Sequence, residues 1–231
     1  DASLDPAFKA QAIAIPDETV IARQIGRNVD PTAVATARQN LITTLVDPIA
    51  SRLEEVYREL AISEPYSPDA AQAGRRSLRN GLLSLLTAGS DLGADLAEAQ
   101  YHAATNMTDR YAALAISAHN WTKAAPALLG DFRTRFGGDP LVFDKWLVAS
   151  SQAPDEGVIE RLRAILAAPD FPKTNPNRLR ALLGSFVMSN LEQFARADGL
   201  GFRFVTEAAA EIDKVNPQVA ARILTGFRSL P

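Results

Sequence analysis

Three observations predict an all-α protein, an irregular α-solenoid of the HEAT or armadillo type. Apolar residues recur at helical spacing along most of the chain, Asp or Asn followed by Pro marks repeated helix starts, and sustained period-two alternation is missing. The best strand-like piece, GFRFVTE from Gly201 to Glu207, runs straight into an Ala-rich helical segment. The spacing predicts about ten to a dozen helices, mostly roughly 10–18 residues long and joined by short loops. Helix–turn–helix units of this size, stacked in sequence order, build a solenoid; a compact helical bundle is the alternative. The units do not align residue by residue, so the repeat is one of structure. A chain of 231 residues can bury a substantial core, and residues 1–231 are expected to form a single helical domain.

The starts come first. Asp30, Asp47, Asp139, Asn175 and Asn216 each precede a proline. Their side chains accept hydrogen bonds from the free N–H groups of a first turn, while proline at N1 has no N–H to lose and a φ already helical. Ser67-Pro68 reads the same way, and Asn106 to Asp109 reads as a cap with an acid at N3, close to a capping box. Between the starts run apolar stripes: Leu41, Leu45 and Ile49 continuing into Leu53, Val56 and Leu60; then Leu78, Leu82, Leu85 and Leu86; then Ile159, Leu162, Ile165 and Leu166. Phe143 and Trp146, in the helix that Asp139 opens, suit core packing. Stops fall at Gly89, Gly137-Gly138, Pro169 to Pro172, and Gly199 to Gly201, the last read as a C-cap and turn rather than a phosphate cradle.

Composition then excludes several chemistries. A net charge of -3 and a pI near 5.5 speak against nucleic acid as the main partner, since phosphate binding needs concentrated Lys and Arg. Without Cys there is no thiolate, disulfide or Cys-based metal site, which suits a reducing compartment and the periplasm alike. No apolar run is long enough to span a bilayer, so no membrane partner is expected. DASLDPAFKA opens acidic, without the apolar stretch of a signal peptide, and the missing initiator Met favours a fragment of a longer polypeptide. His102 and His119 stand outside any H-E-x-x-H and read as helix-end or partly buried imidazoles. G-x-S-x-G, P-loop and G-x-G-x-x-G patterns are missing too. Glu54-Glu55, Asp155-Glu156, Asp91 to Glu98 and Glu207 to Glu211 read as solvated helix faces, and Arg75, Arg76 and Arg79 as an exposed face in surface ion pairs. The residues supply no catalytic constellation, and this chain is expected to bind no metal.

Five stretches carry more. NMTDRYAAL (Asn106 to Leu114), GDPLVFDKW (Gly138 to Trp146), NPNRLRALLGSF (Asn175 to Phe186), DGLGFRFVTE (Asp198 to Glu207) and NPQVAARI (Asn216 to Ile223) stand in this order along the chain. Their order and spacing resemble the C-terminal helical domain of the bacterial aminopeptidase N family, zinc aminopeptidases of the gluzincin class. LDPAFKAQAIAIPDE (Leu4 to Glu18) fits the start of that domain, so the resemblance covers nearly the whole chain.

The resemblance implies a division of labour. The zinc of the full-length enzyme, its ligands and the exopeptidase motif lie in a thermolysin-like domain N-terminal to this region, and the fragment alone is inactive. The helical domain encloses the active-site cavity and leaves a channel for peptides. Its partners are the N-terminal and catalytic domains of the same polypeptide together with peptide substrates, in the bacterial cytoplasm. Family members continue past the equivalent of Pro231 with further helices.

By the same resemblance, Arg180, Gln218 and Arg222 match positions that contact the substrate-side cavity. Gln218 and Arg222 are i and i+4, on one helix face. Arg offers planar donors for peptide carbonyls or a terminal carboxylate, and Gln a donor and an acceptor. The plainer reading makes Arg178, Arg180 and Arg222 surface ion-pairing residues with Asn175 and Asn216 simple caps, and Arg178 stays with it. Asp109, Arg110, Asp144 and Lys145 read as polar contacts between helices or domains. An apolar patch is expected where the isolated domain would dock. The competing function is a free-standing α-solenoid that binds a protein partner.

Overall fold

The computed structural model describes residues 4–229. It is predominantly helical, with fifteen α-helices and no strand among the described residues. Two compact units divide it, one of residues 1–16 and 37–128 and the other of 17–36 and 129–231.

The first unit holds α1 (Pro6–Ala12), the end of α3 (Pro31–Val46), α4 (Ala50–Glu59), α5 (Ala70–Gly89), α6 (Leu92–Ala103) and α7 (Met107–His119). Helix α5 is its axis and packs against α1, α4, α6 and α7. Leu78, Leu82, Leu83 and Leu86 of α5 are buried together with Ile42, Val46, Tyr101 and Leu114. Where α6 begins, a Cβ on Gly93 would lie 2.1 Å from the Thr87 backbone nitrogen, so glycine is what lets the two helices meet so closely. Asp5 and Asn106 cap α1 and α7.

Two starts differ from the sequence expectation here. Asp47-Pro48 opens no new helix; it lies in a 3₁₀ turn, Asp47–Ile49, that carries α3 on into α4 with no side-chain cap. A chain already helical at Asp47 has carbonyls waiting for the next amides, and the lost proline N–H is absorbed where the bonding pattern tightens. Ahead of α5 the cap is Asp69, which accepts from the Gln72 amide at 3.0 Å, and not Ser67.

One stripe is displaced as well. Ile42, Val46, Ala50 and Tyr57 face the core, while Leu41, Leu45 and Ile49 are exposed. Both rows keep i, i+4 spacing, and spacing alone cannot say which of two adjacent apolar rows turns inward. The outward row leaves an apolar ridge on this unit.

The second unit holds α2 (Glu18–Ile25), the start of α3, most of α8 (Ala125–Phe136), α9 (Pro140–Ser151), α10 (Val158–Ala167), α11 (Pro176–Leu179), α12 (Ser185–Ser189), α13 (Leu191–Phe194), α14 (Leu200–Asp213) and α15 (Pro217–Leu224). Asp30, Asp139, Asn175 and Asn216 cap their helices as predicted, with Asp139 accepting from Leu141 N at 2.8 Å and Asn216 from Val219 N at 3.2 Å. The strand-like GFRFVTE lies wholly within the helix Leu200–Asp213, behind Gly199 at φ +73°.

Edge-to-face rings form its centre: Phe186 sits 6.2 Å from Phe194 and 5.7 Å from Phe204. Trp146 is buried, donates to the Leu129 carbonyl at 3.0 Å and stacks on Phe143, as core packing required. Arg178 departs from its surface reading. It is buried, paired with Asp144 of α9, and lies 5.6 Å from the Phe143 ring centre. Its position one turn into a capped helix gave no sign that α9 presents a carboxylate there.

Candidate functional site

The helix that begins at Asn175 does not stay α-helical. Between α11 and α12 it widens into a π turn, Arg180–Gly184, with the Ser185 amide reaching back to the Arg180 carbonyl. Such turns are rare and frequent at functional sites. Leu179, Leu182, Leu183, Phe186 and Val187 are buried and anchor the helix to the unit. The opposite face, Arg180, Gly184, Ser185, Met188 and Ser189, forms one wall of a cavity of about 410 Å³.

The other wall comes from α15 and the 3₁₀ turn that follows it, Thr225–Ser229. Val219, Ala220 and Ile223 bury one face of α15, which turns Gln218 and Arg222 outward. Arg222, Thr225 and Gly226 reach the cavity. A Cβ on Gly226 would fall 1.8 Å from Val187 Cγ1, so the turn lies directly on α12.

Arg180 and Arg222 are thus brought to one cavity, whereas Gln218, also exposed, is not among its lining residues. Both guanidiniums are solvent-facing. Arg180 bonds Asn177 Oδ1, Arg222 makes no side-chain hydrogen bond, and neither has an ion pair among the described residues. Among the described residues no carboxylate lines the cavity, so there it combines two cations without an ion pair with the hydroxyls of Ser185, Ser189 and Thr225. The arrangement suits an anionic or carbonyl-rich ligand. The hydroxyl positions were missed in the sequence, although projecting a helix from Arg180 puts Gly184 and Met188 at i+4 and i+8, with Ser185 and Ser189 beside them.

Among the described residues no group of three or more His, Cys, Asp and Glu comes together to hold an ion. His102 and His119 both lie in last turns, of α6 and α7; His102 is exposed and set edge-on to Tyr101 at 5.3 Å. No helix among the described residues is long and apolar enough to cross a membrane.

The family model described as "Domain of unknown function (DUF3458_C) ARM repeats" matches residues 1–231. The chain belongs to that family. ARM repeats are stacked helical units, the α-solenoid that the spacing predicts.

This ARM-repeat chain is 34% identical over 225 residues to Aminopeptidase N of Escherichia coli (strain K12), covering 97% of this chain and 26% of that protein. It is 36% identical over 230 residues to Aminopeptidase N of Caulobacter vibrioides, again with 97% and 26% covered. A solved structure, Legionella pneumophila aminopeptidase A in complex with aspartic acid, superposes with a TM-score of 0.87 at 26% identity, covering 98% of this chain and 28% of that one. The chain therefore spans about a quarter of the length of these relatives, and the match is to their C-terminal region.

Proposed function

We propose that the chain is the C-terminal, non-catalytic domain of a zinc-dependent aminopeptidase that removes N-terminal residues from peptides in the bacterial cytoplasm. It encloses the active-site cavity and forms the entry channel, with Arg180 and Arg222 on the substrate side and Gln218 one turn before Arg222, at the start of α15. The observation that carries this reading is two guanidiniums, from separate helices, at one carboxylate-free cavity. A peptide presents carbonyl oxygens and a terminal carboxylate, which guanidinium forks and hydroxyls can hold. The zinc and the bond-breaking groups belong to a preceding domain of the same polypeptide. The exposed ridge of Leu41, Leu45 and Ile49 supports a docked neighbour, since apolar rows of this kind mark contact surfaces.

The test is a length series of peptides hydrolysed by the full-length protein carrying Arg222→Ala or Gln218→Ala. Loss of one charge-assisted hydrogen bond, about 1.5 kcal/mol, raises KM roughly tenfold for Arg222→Ala with kcat unchanged. Gln218→Ala moves KM less. Unchanged constants at every length would reject the cavity role, and a reading frame without H-E-x-x-H upstream would favour a free-standing interaction module.

A further inference from the structure

One turn before the wall that carries Arg180, the Asn177 side chain meets that arginine: Asn177 Oδ1 accepts from Arg180 Nη2. The Arg180 amide also donates to the Asn177 carbonyl, so the two residues are tied through backbone and side chain, three positions apart. Asn177 is not the cap of its helix. That role belongs to Asn175, whose Oδ1 accepts from the Asn177 amide at 2.9 Å. The Asn177 side chain is thereby spared for Arg180.

The partner is neutral, and that sets Arg180 apart. Four arginines elsewhere reach along their own helix to a carboxylate three or four positions away: Arg52 to Glu55, Arg58 to Glu54, Arg135 to Asp131 and Arg163 to Glu160, at 2.6–3.9 Å. Arg76 reaches a neutral group, Gln72 Oε1, in the same way, but it is only 5% exposed and not on the surface its spacing predicted. Its other terminal nitrogen is spent on the Ser67 carbonyl at 2.6 Å, beneath the loop between α4 and α5. Arg180 is exposed, lines a cavity and has no ion pair among the described residues.

What the contact leaves available matters for a ligand. A guanidinium has five N–H donors, and the bond to Asn177 uses one of those on Nη2. The second N–H of Nη2, with its neighbour on Nε or Nη1, remains a two-donor edge that a carboxylate can meet in plane. The positive charge also remains whole, because an amide brings no charge of its own. Local energetics alone would favour aspartate at position 177, where it would pair with Arg180 and lie at the positive end of the helix. Aspartate would also cancel the charge that faces the cavity.

We propose, resting on the reading of this cavity as a peptide site, that Asn177 is a positioning residue. It holds the Arg180 guanidinium in place without neutralising it, and so gives the cavity a preference for a carboxylate over an uncharged carbonyl. Arg222 adds the second positive charge from α15. The carboxylate is that of the peptide's C-terminus or of an acidic side chain.

The test is the kinetics of the full-length protein on an alanine peptide with a free C-terminus, on its C-terminal amide, and on an amide whose last residue is Glu. Asn177→Asp is expected to raise KM for the free acid roughly threefold, with kcat unchanged and Tm unchanged or higher. The amide shows a higher KM with the parent and no further loss with Asn177→Asp. The amide ending in Glu recovers the lower KM where a side-chain carboxylate serves. Asn177→Ala, which releases the guanidinium, raises KM in the parent but not in an Arg180→Ala background, as a residue acting only through Arg180 must. If Arg180→Ala raises KM while both Asn177 variants leave it unchanged, the role of Asn177 is wrong and the peptide site stands. A Tm that falls with Asn177→Asp, or an equal loss on acid and amide, would also overturn it. If neither Arg180→Ala nor Arg222→Ala moves KM for any peptide, the reading of the cavity fails and this assignment falls with it.

Discussion

Replacing Arg178 by Met removes one member of the Arg178–Asp144 pair while keeping an apolar stem of similar length. Side-chain exposure is 9% for Arg178 and 25% for Asp144. Breaking a fully buried pair by deleting one partner costs about 3–5 kcal/mol, because the other charge is stranded. Asp144 retains a quarter of its surface, so water solvates part of the stranded carboxylate and the expected cost falls to about 2 kcal/mol. For a chain of this size that lowers Tm by roughly 4–8 °C.

The control is the double variant Asp144→Leu, Arg178→Met, which removes the stranded charge and should return to within about 1 kcal/mol of the parent. Urea unfolding of the parent, both singles and the double closes a mutant cycle with a coupling of about 3 kcal/mol, since stranding the more buried Arg178 in Asp144→Leu costs at least as much as stranding Asp144. A cost below about 0.5 kcal/mol for Arg178→Met would mean the pair is worth no more than a surface one, and the burial argument would be wrong. A double variant as unstable as Arg178→Met alone would assign the loss to packing against Phe143 instead.

Three further outcomes follow from single contacts. Asn216→Ala deletes the α15 cap and should cost about 1 kcal/mol in urea unfolding, with KM in the full-length protein moving in the same direction as for Arg222→Ala. Gly226→Ala drives a Cβ into Val187 and should cost about 1–3 kcal/mol, whereas Gly130→Ala, on an exposed helical face with nothing within 4 Å of the new Cβ, should gain about 0.5–1 kcal/mol; thermal unfolding separates the two signs. Burial pushes the Tyr111 phenol up to about 12 from 10.0. Because its folded pKa is the higher one, its contribution to stability is whole below pH 10 and is lost between pH 10 and 12, and the phenolate absorbance missing from Tyr111→Phe should appear only in that upper range.

Helix content and most starts were legible because caps and stripes are local properties. Asp139 and Asn216 needed only their own next few residues to declare a first turn. What failed depended on something distant. Leu41 and Ile42 are equally good stripe members, and α5 decides between them by where it packs. Arg76 and Arg178 carry the charge of surface residues, and only the fold brings a ten-residue loop over the first and Asp144 beside the second. At the cavity between Arg180 and Arg222, the arginines were named through a family resemblance. The hydroxyls around them were legible in principle, had the helix been projected from Arg180, but the π turn that presents that face leaves no mark in the composition of RALLG.

The division between buried and exposed faces bears on how the cavity can be tested. Arg180, Arg222 and Gln218 are all exposed and make few contacts, so replacing them takes little from the core and should change binding with the fold intact. The groups that hold them in place are another matter: Phe186, Val187 and Gly226 are buried against one another or their neighbours, and Asn216 holds the first turn of α15. Changes there should lower stability and affinity together. Of these two sets, only the first can therefore change KM without changing Tm, and that difference separates a group that would touch the proposed substrate from one that merely supports the cavity.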